Sequence, residues 1–135
     1  MTRTLSDPDY RALAAFRHAL RTFQRFSEQA ARDAGLTPAQ HQLLLAIRGH
    51  PGEAPPSLSA IAEVLQLRLH SAGELTSRAV ANGLVDRWTD PDDARRIVLG
   101  LTPLGHAKLA DLSLAHRAEL RRFRAEMNDV LRELG

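Results

Sequence analysis

The sequence of 135 residues contains no cysteine, which excludes disulfide bonds, thiolate metal ligands and cysteine-based redox sensing. It also lacks any apolar run approaching the roughly 18 residues that a membrane span requires. The first residues, Met1 to Leu5, are followed by no apolar stretch of the kind found in a secretory signal. We therefore expect a cytoplasmic protein that does not use a membrane as a partner.

Lysine is almost absent, since Lys108 stands alone beside 17 arginines, and 16 acids reduce the formal net charge to +2. Guanidinium groups match the geometry of phosphate oxygens, so the excess of arginine could indicate phosphate recognition. The codon usage of a GC-rich genome is the simpler explanation of the same excess. The overall charge therefore does not identify a partner.

Sequence signatures of catalysis and metal binding are missing as well. There is no glycine-rich phosphate loop and no Gly-x-Ser-x-Gly motif. The six histidines show no i, i+4 pair or other zinc-site spacing; they are His18, His41, His50, His70, His106 and His116. We expect no catalytic residues, no metal and no cofactor, and a small helical enzyme is the least supported alternative.

Apolar residues recur at helical spacing in five segments. The first is expected over about 8–34, with Asp7 as its cap and Pro8 in its first turn. The second begins at Thr37-Pro38 with Gln40 completing a capping box, and the third begins at Ser57. The fourth covers about 70–81. The last runs from Thr102-Pro103 to the end of the chain, either unbroken or interrupted near Arg122.

Between the last two helices the pattern changes to that of a β-hairpin. Residues 84–88 and 96–101 are predicted strands, and 89–94 consist of turn-forming residues. Trp88 is expected to pack at the base of this hairpin. The fold class is therefore mainly α with a small β-hairpin.

Two short helices joined by a tight turn and followed by a hairpin are typical of a winged helix-turn-helix. In that arrangement the second helix of the pair enters the major groove of DNA and the hairpin, or wing, reaches the adjacent backbone or minor groove. The fourth segment suits this role because its surface is largely polar, unlike that of a buried core helix.

Four motifs in the right order carry a resemblance to a known family. They are Ile61-Ala62-Glu63-Val64-Leu65, Asn82-Gly83-Leu84-Val85-Asp86-Arg87, Asp90-Pro91-Asp92-Asp93-Ala94-Arg95-Arg96 and Leu101-Thr102-Pro103-Leu104-Gly105. Together they resemble the MarR family of transcriptional regulators. The resemblance covers about 58–105.

The resemblance implies a single MarR-like domain over 1–135. Residues 36–105 would form the winged helix-turn-helix, flanked by dimerisation helices at 8–34 and 103–134. The expected function is that of a dimeric repressor that binds double-stranded DNA at a pseudo-palindromic operator and is released by a small ligand. The alternative is a winged-helix module for protein–protein contact that does not bind DNA.

The same resemblance places the expected DNA contacts on the fourth helix and the wing. They are Arg68, His70, Ser71, Glu74, Ser77 and Arg78 on the helix, and Arg95 and Arg96 on the wing. Asp93 would brace the wing. This chain departs from the family in having Ala94 beside the wing arginine and Glu74 where many relatives are basic. Residues 57–102 hold five arginines against six acids, so this region is not basic overall.

An effector would bind between the dimerisation helices and the winged helix. The expected pocket residues are Phe16, Leu20, Phe23, His41, Leu44 and Leu45. An aromatic acid is the effector class that family analogy suggests.

Overall fold

The structure is a computed structural model that describes residues 4–134. Within these residues the chain forms four helices, one hairpin and a fifth helix, in the order predicted. The elements are α1 (Asp7–Asp33), α2 (Pro38–Arg48), α3 (Leu58–Leu65), α4 (Leu69–Ala81), β1 (Val85–Asp90), β2 (Asp93–Leu101) and α5 (Pro103–Leu134). The mainly helical fold class with a small hairpin is confirmed.

The two long helices, α1 and α5, pack against each other along their lengths. The N-cap of α1 is Ser6 rather than the predicted Asp7. The hydroxyl of Ser6 accepts a hydrogen bond from the backbone N–H of Asp9, and the Asp9 side chain accepts one from the backbone N–H of Ser6. Helix α5 is unbroken at Arg122, whose guanidinium pairs with Glu119 and Glu126 on the same helix.

Helices α2 and α3 begin where their predicted caps place them. Thr37 and Gln40 form the predicted capping box of α2, and the Ser57 hydroxyl accepts from the N–H of Ala60 at the start of α3. Helix α3 ends at Gln66, which takes a left-handed backbone conformation with φ of 57°. This turn leads directly into α4 and completes the helix-turn-helix.

The hairpin is longer than predicted, because both strands continue into the expected turn. Trp88 pairs with Val98, and Asp90 pairs with Asp93 after a register irregularity, so only Pro91 and Asp92 remain as the connection. The Trp88 ring lies across the hairpin over Gly100, where an added Cβ would come within 3.1 Å of the ring. Trp88 therefore packs on the hairpin, as expected.

The hydrophobic core lies beneath the helix-turn-helix. Its fully buried members include Leu43 and Leu44 of α2, Ile61 of α3 and Leu99 of β2. The fully buried apolar residues of α4 are small, Ala72 and Ala79, and Leu75 and Val80 pack against the core from its side, so the exposed part of α4 is its opposite, polar face. None of the helices within 4–134 is both long enough and apolar enough to cross a membrane.

Candidate nucleic-acid interface

Helix α4 separates its residues into a buried face and an exposed face. Ala72, Thr76 and Ala79 are buried, and the residues between them are not. At about 100° per residue, the side chains of the opposite face share an arc of about 120°. All the α4 positions predicted to contact DNA lie there and are exposed: His70, Ser71, Glu74, Ser77 and Arg78. Arg68, the exposed N-cap residue, precedes them.

The N-terminus of α4 lacks a side-chain cap. Arg68 has the extended conformation of an N-cap residue but makes no capping hydrogen bond, whereas Ser6, Thr37 and Ser57 cap α1, α2 and α3. The first backbone N–H groups of a helix have no partner within the helix and carry its positive dipole end. This end of α4 is therefore suited to accept an anion such as a phosphate.

Glu74 is paired within its own helix. Its carboxylate lies 3.1 Å from Nε2 of His70, one helical turn earlier, and both side chains are exposed. The acid that departs from the family pattern thus has a neighbour that can offset its charge when His70 is protonated. Such an exposed pair contributes little to stability.

Carboxylates hold the shape of the wing tip. Asp93 accepts a hydrogen bond from the backbone N–H of Arg95 at 3.0 Å, and its Oδ1 lies 3.6 Å from Nε of Arg95. Asp90 accepts from the N–H of Asp92 at 2.8 Å and lies 3.6 Å from Nη1 of Arg96. The Arg95 side chain is 94% exposed. The geometry gives Asp93 the contacts that a wing-bracing residue needs.

A concave surface connects α4 with the wing. Ser57, Leu58 and Leu69 face Asp93, Arg95 and Arg96 across a groove of about 310 Å³. A second groove lies between the polar face of α4 and the side chains of Arg87 and Ile97. Helix and wing therefore form one continuous exposed surface.

Arg87 belongs to this surface, although the sequence reasoning did not select it. Its Nη1 donates a hydrogen bond of 2.9 Å to the Ser77 hydroxyl, which links β1 to α4. The signal available in the sequence was strand alternation, which puts Arg87 and Thr89 on the same face of β1. Alternation does not show which helix packs against that face, because this depends on the tertiary structure.

A separate cavity of about 440 Å³ lies between α1 and α2. Three predicted pocket residues line it: Leu20, Phe23 and His41. Of the other predicted pocket residues, Leu44 is fully buried in the core and Leu45 is exposed, and neither lines this cavity. Both follow from the rotation of α2, which turns Leu44 inward. Phe16 is half-buried on α1 and also lies outside the lining residues.

A buried polar network borders this cavity and was missed by the sequence reasoning. His116 of α5 contacts Ser27 of α1 through Nε2 at 2.9 Å and the Leu112 carbonyl through Nδ1 at 2.7 Å. The His116 ring also lies 5.0 Å from the ring of His41, centroid to centroid, and 5.3 Å from that of Phe26. The available signal was the position of His116 in the apolar stripe that begins with Leu109 and Leu112.

His41 is the least satisfied member of this region. Only 5% of its surface is exposed, and its Nδ1 is buried without a hydrogen-bond partner among residues 4–134. Burial first, and the charge of His116 second, lower the pKa of His41 below its ordinary value of 6.5. An unpartnered buried polar atom is uncommon in proteins, because it loses its hydrogen bonds with water.

The part of the chain that the structure describes contains no cluster of three or more histidine and acidic side chains able to hold a metal ion. His41 and His116 approach each other without a carboxylate between them.

Comparison with known proteins gives one family. Residues 34–96 match the sequence model of the MarR family. A protein of Thauera aromatica assigned to transcriptional regulation of the hcr operon is 29% identical over 116 residues, which cover 86% of this chain and 68% of that protein.

Solved structures share the fold. A MarR family transcription regulator has a TM-score of 0.73 at 25% identity, over 84% of this chain and 74% of the other. A mutant of Escherichia coli MarR, complexed with operator DNA, has a TM-score of 0.68 at 23% identity, over 78% of this chain and 74% of the other. Bordetella bronchiseptica BpsR, whose DNA binding is regulated by 6-hydroxynicotinic acid, has a TM-score of 0.66 at 22% identity, over 87% of this chain and 93% of the other.

Proposed function

We propose that the chain is a transcription regulator of the MarR family, as its motifs predict, and that it acts as a homodimeric repressor at a pseudo-palindromic DNA operator. The match of residues 34–96 to the family model and the similar protein of Thauera aromatica support this proposal. The exposed polar face of α4 carries this proposal, because packing within the chain does not require these side chains. A member of this family would act as a regulator rather than as an enzyme. The proposed site of action is the cytoplasm, where the operator would lie.

Helix α4 would enter the major groove. A helix fits that groove, and base edges are distinguishable there. Arg78 and Arg68 have the guanidinium geometry that reads guanine, and Glu74 can accept from the amino group of cytosine. The uncapped N-terminus of α4 would bind a backbone phosphate and fix the register of the helix on the duplex. E. coli MarR, with the same fold, has been solved with operator DNA.

The wing would contact the duplex beside the recognition helix. Arg95 projects from the hairpin tip, and the Asp93 contacts hold the backbone from which it extends. The minor groove attracts guanidinium groups through its negative potential. Arg96 lies on the groove between wing and helix, where it would contact a phosphate.

Dimerisation would use the two long helices, 8–34 and 103–134, and leave 36–105 as the winged helix-turn-helix. Large apolar side chains are exposed along both: Tyr10 and Leu13 on α1, and Leu114, Leu120 and Leu131 on α5. On α5, Leu120 and Leu131 fall on the same side of the helix at 100° per residue, and a continuous apolar surface of this kind would be covered by a partner. A second copy would satisfy the two-fold symmetry of a palindromic operator.

The cavity between α1 and α2 would hold the effector. Its position between a dimerisation helix and the winged helix lets an occupant alter the spacing of the two recognition helices. Leu20 and Phe23 supply an apolar wall and His41 a polar group, the combination that small-molecule sites use. We propose an aromatic acid, in keeping with the regulation of BpsR by 6-hydroxynicotinic acid.

One observation favours the protein–protein alternative. Residues 57–102 carry five arginines against six acids, and an interface for nucleic acid is usually basic. Asp90 and Asp93 each lie 3.6 Å from an arginine, and Glu74 lies 3.1 Å from the imidazole of His70. Half of those acids therefore have a nitrogen-bearing side chain beside them, which weakens this objection.

Selection of bound sequences from random duplex DNA tests the proposal and separates the two functions. A repressor of this kind enriches a pseudo-palindrome whose half-sites lie about one helical turn apart, roughly 34–36 Å. A protein–protein module enriches no sequence. Recovery of unenriched DNA after repeated rounds would overturn the proposed function.

A further inference from the structure

Leu69 is the one large apolar side chain that α4 exposes. It is 56% exposed, whereas Leu75 and Val80, the other large apolar residues of this helix, are half-buried against the core. At 100° per residue, Leu69 lies about 20° around the helix from Thr76, which is fully buried. The exposure of Leu69 therefore comes from its place in the first turn of α4, which extends beyond the core. Packing within the chain does not require a leucine there.

Leu69 borders the groove between α4 and the wing. Leu58 and Ile97 continue its apolar surface within this groove, and Ile97 is 37% exposed. The wing side of the groove is charged and consists of Asp93, Arg95 and Arg96. With α4 in the major groove and the wing beside the minor groove, the DNA strand between the two grooves would pass along this surface. The exposed leucine is therefore continuous with the proposed interface.

The polar residues of α4 leave adenine without a bidentate reader. Arginine reads guanine, glutamate accepts from cytosine, and asparagine and glutamine read adenine. Residues 69–81 contain Arg78 and Glu74 but neither asparagine nor glutamine. An A·T pair also presents the C5-methyl group of thymine in the major groove, and an apolar side chain is the group that recognises it. Leu69 has this chemistry at the N-terminus of the helix, where recognition helices contact base edges.

We propose that Leu69 determines specificity for thymine, by packing its side chain on the C5-methyl group of one thymine in each half-site of the operator. The inference rests on the proposed function and adds a residue and a base to it. The thymine belongs to the strand that passes between α4 and the wing, because its methyl group lies in the major groove beside its own backbone. The contact removes leucine and methyl group from water together, which favours thymine over bases that lack the methyl group.

Deoxyuridine substitution isolates this methyl group. Deoxyuridine keeps the hydrogen-bonding groups of thymidine and lacks only the C5-methyl, so each thymine of the selected operator is replaced in turn. For the wild-type dimer we expect one position per half-site at which the replacement weakens binding about fourfold, and about sixteenfold when both half-sites are changed. Fluorescence anisotropy measures the ratio of the two affinities.

Variants of Leu69 assign the methyl contact to this side chain. Leu69→Ala should bind the thymine and deoxyuridine duplexes equally at that position, because the side chain that distinguishes them has been removed. Leu69→Met keeps an apolar side chain of similar volume and should retain the discrimination. The control is Val64→Ala, which removes an exposed apolar side chain from α3 and should leave the ratio unchanged. Because a ratio is compared within each variant, a general loss of affinity does not imitate the effect.

Three results would overturn the inference and leave the proposed function standing, because an operator has been selected. The first is an operator in which no thymine is sensitive to deoxyuridine. The second is a sensitivity that persists in Leu69→Ala, which would assign the effect to the shape of the DNA. The third is a sensitivity that Ile97→Ala removes and Leu69→Ala does not, which would assign the contact to the wing. Failure to enrich any sequence overturns the proposed function, and this inference with it.

Discussion

Gly105 shows how closely single residues set the position of α5. A Cβ at this position would collide with the carbonyl oxygen of Leu84, which also accepts a hydrogen bond from the backbone N–H of Thr102. The first turn of α5 and the residue before β1 can therefore lie this close only because residue 105 has no side chain. No side chain fits there without displacing backbone.

Gly105→Ala should therefore destabilise the protein by about 1–3 kcal/mol, because the clash is with backbone that cannot move independently. The matched control is Gly73→Ala on α4, where the nearest atom to an added Cβ is 3.9 Å away. At this position the higher helix propensity of alanine should stabilise the protein by up to about 1 kcal/mol. Urea unfolding measures both. Equal stability of the two variants would contradict the packing described.

The proposed role of the wing depends most on Arg95. Arg95→Ala should weaken binding to every operator sequence and reduce the slope of log affinity against log salt by about 1, because one guanidinium contact to the duplex is lost. Fluorescence anisotropy at several salt concentrations measures this. Arg25→Ala, on α1 outside the winged helix, serves as the control. An unchanged salt slope in Arg95→Ala would show that the wing tip does not touch DNA.

At the scale of elements, α4 and the wing act as one surface because Arg87 joins them. The hydrogen bond from Arg87 to Ser77 crosses from strand to helix on the exposed side. By joining them, it would limit the independent motion of α4 and the wing, the two elements that would contact the duplex. The cost of losing it should therefore be observed in DNA binding more than in folding.

A double-mutant cycle tests this link. Arg87→Ala and Ser77→Ala should each weaken binding to the selected site. The loss of binding free energy in the double variant should be smaller than the sum of the two single losses, by a coupling energy of about 0.5–3 kcal/mol. Ser71→Ala, also on the exposed face of α4, combined with Arg87→Ala should be additive. Additive effects for the Arg87 and Ser77 pair would mean that the hydrogen bond does not contribute.

Most element boundaries could be predicted because local chemistry determines them. The start of α2 is specified within four positions, 37–40, by Thr37, Pro38 and Gln40. The start of α3 is specified by Ser57. The α4 face was also predictable, since helical periodicity alone separates Ala72 and Ala79 from Ser71 and Arg78. These features depend on neighbours in the sequence.

The features that escaped prediction depend on contacts between distant elements. Ser27 and His116 are 89 positions apart, and nothing local indicates that their side chains meet. Leu44 and Leu45 are adjacent, so assigning one to the core and the other to the surface requires the rotation of α2 against its neighbours. The N-cap of α1 was missed by one residue, because Ser6 and Asp7 are both good capping residues.

At the scale of the whole molecule, the proposed dimer depends on the apolar side chains that are exposed on the long helices. Leu131 near the end of α5 is 65% exposed, and Leu134 and Leu120 are also exposed. Leu131→Glu should shift the protein towards monomer and weaken operator binding, because a charge would be buried in the proposed interface. Sedimentation equilibrium measures the assembly state.

The control for this prediction is Val64→Glu on α3, which is equally accessible but lies outside the long helices. It should leave the dimer intact. A wild-type protein that sediments as a monomer, or a Leu131→Glu variant as dimeric as the wild type, would contradict the proposed interface.

Methylation interference on the selected operator tests the central claim most directly, because methyl groups on guanine N7 project into the major groove where α4 would lie. We predict that interference appears in two major-groove segments about 34–36 Å apart, one for each recognition helix of the dimer. Binding that tolerates methylation throughout the site, or that is blocked in a single segment only, would contradict the account.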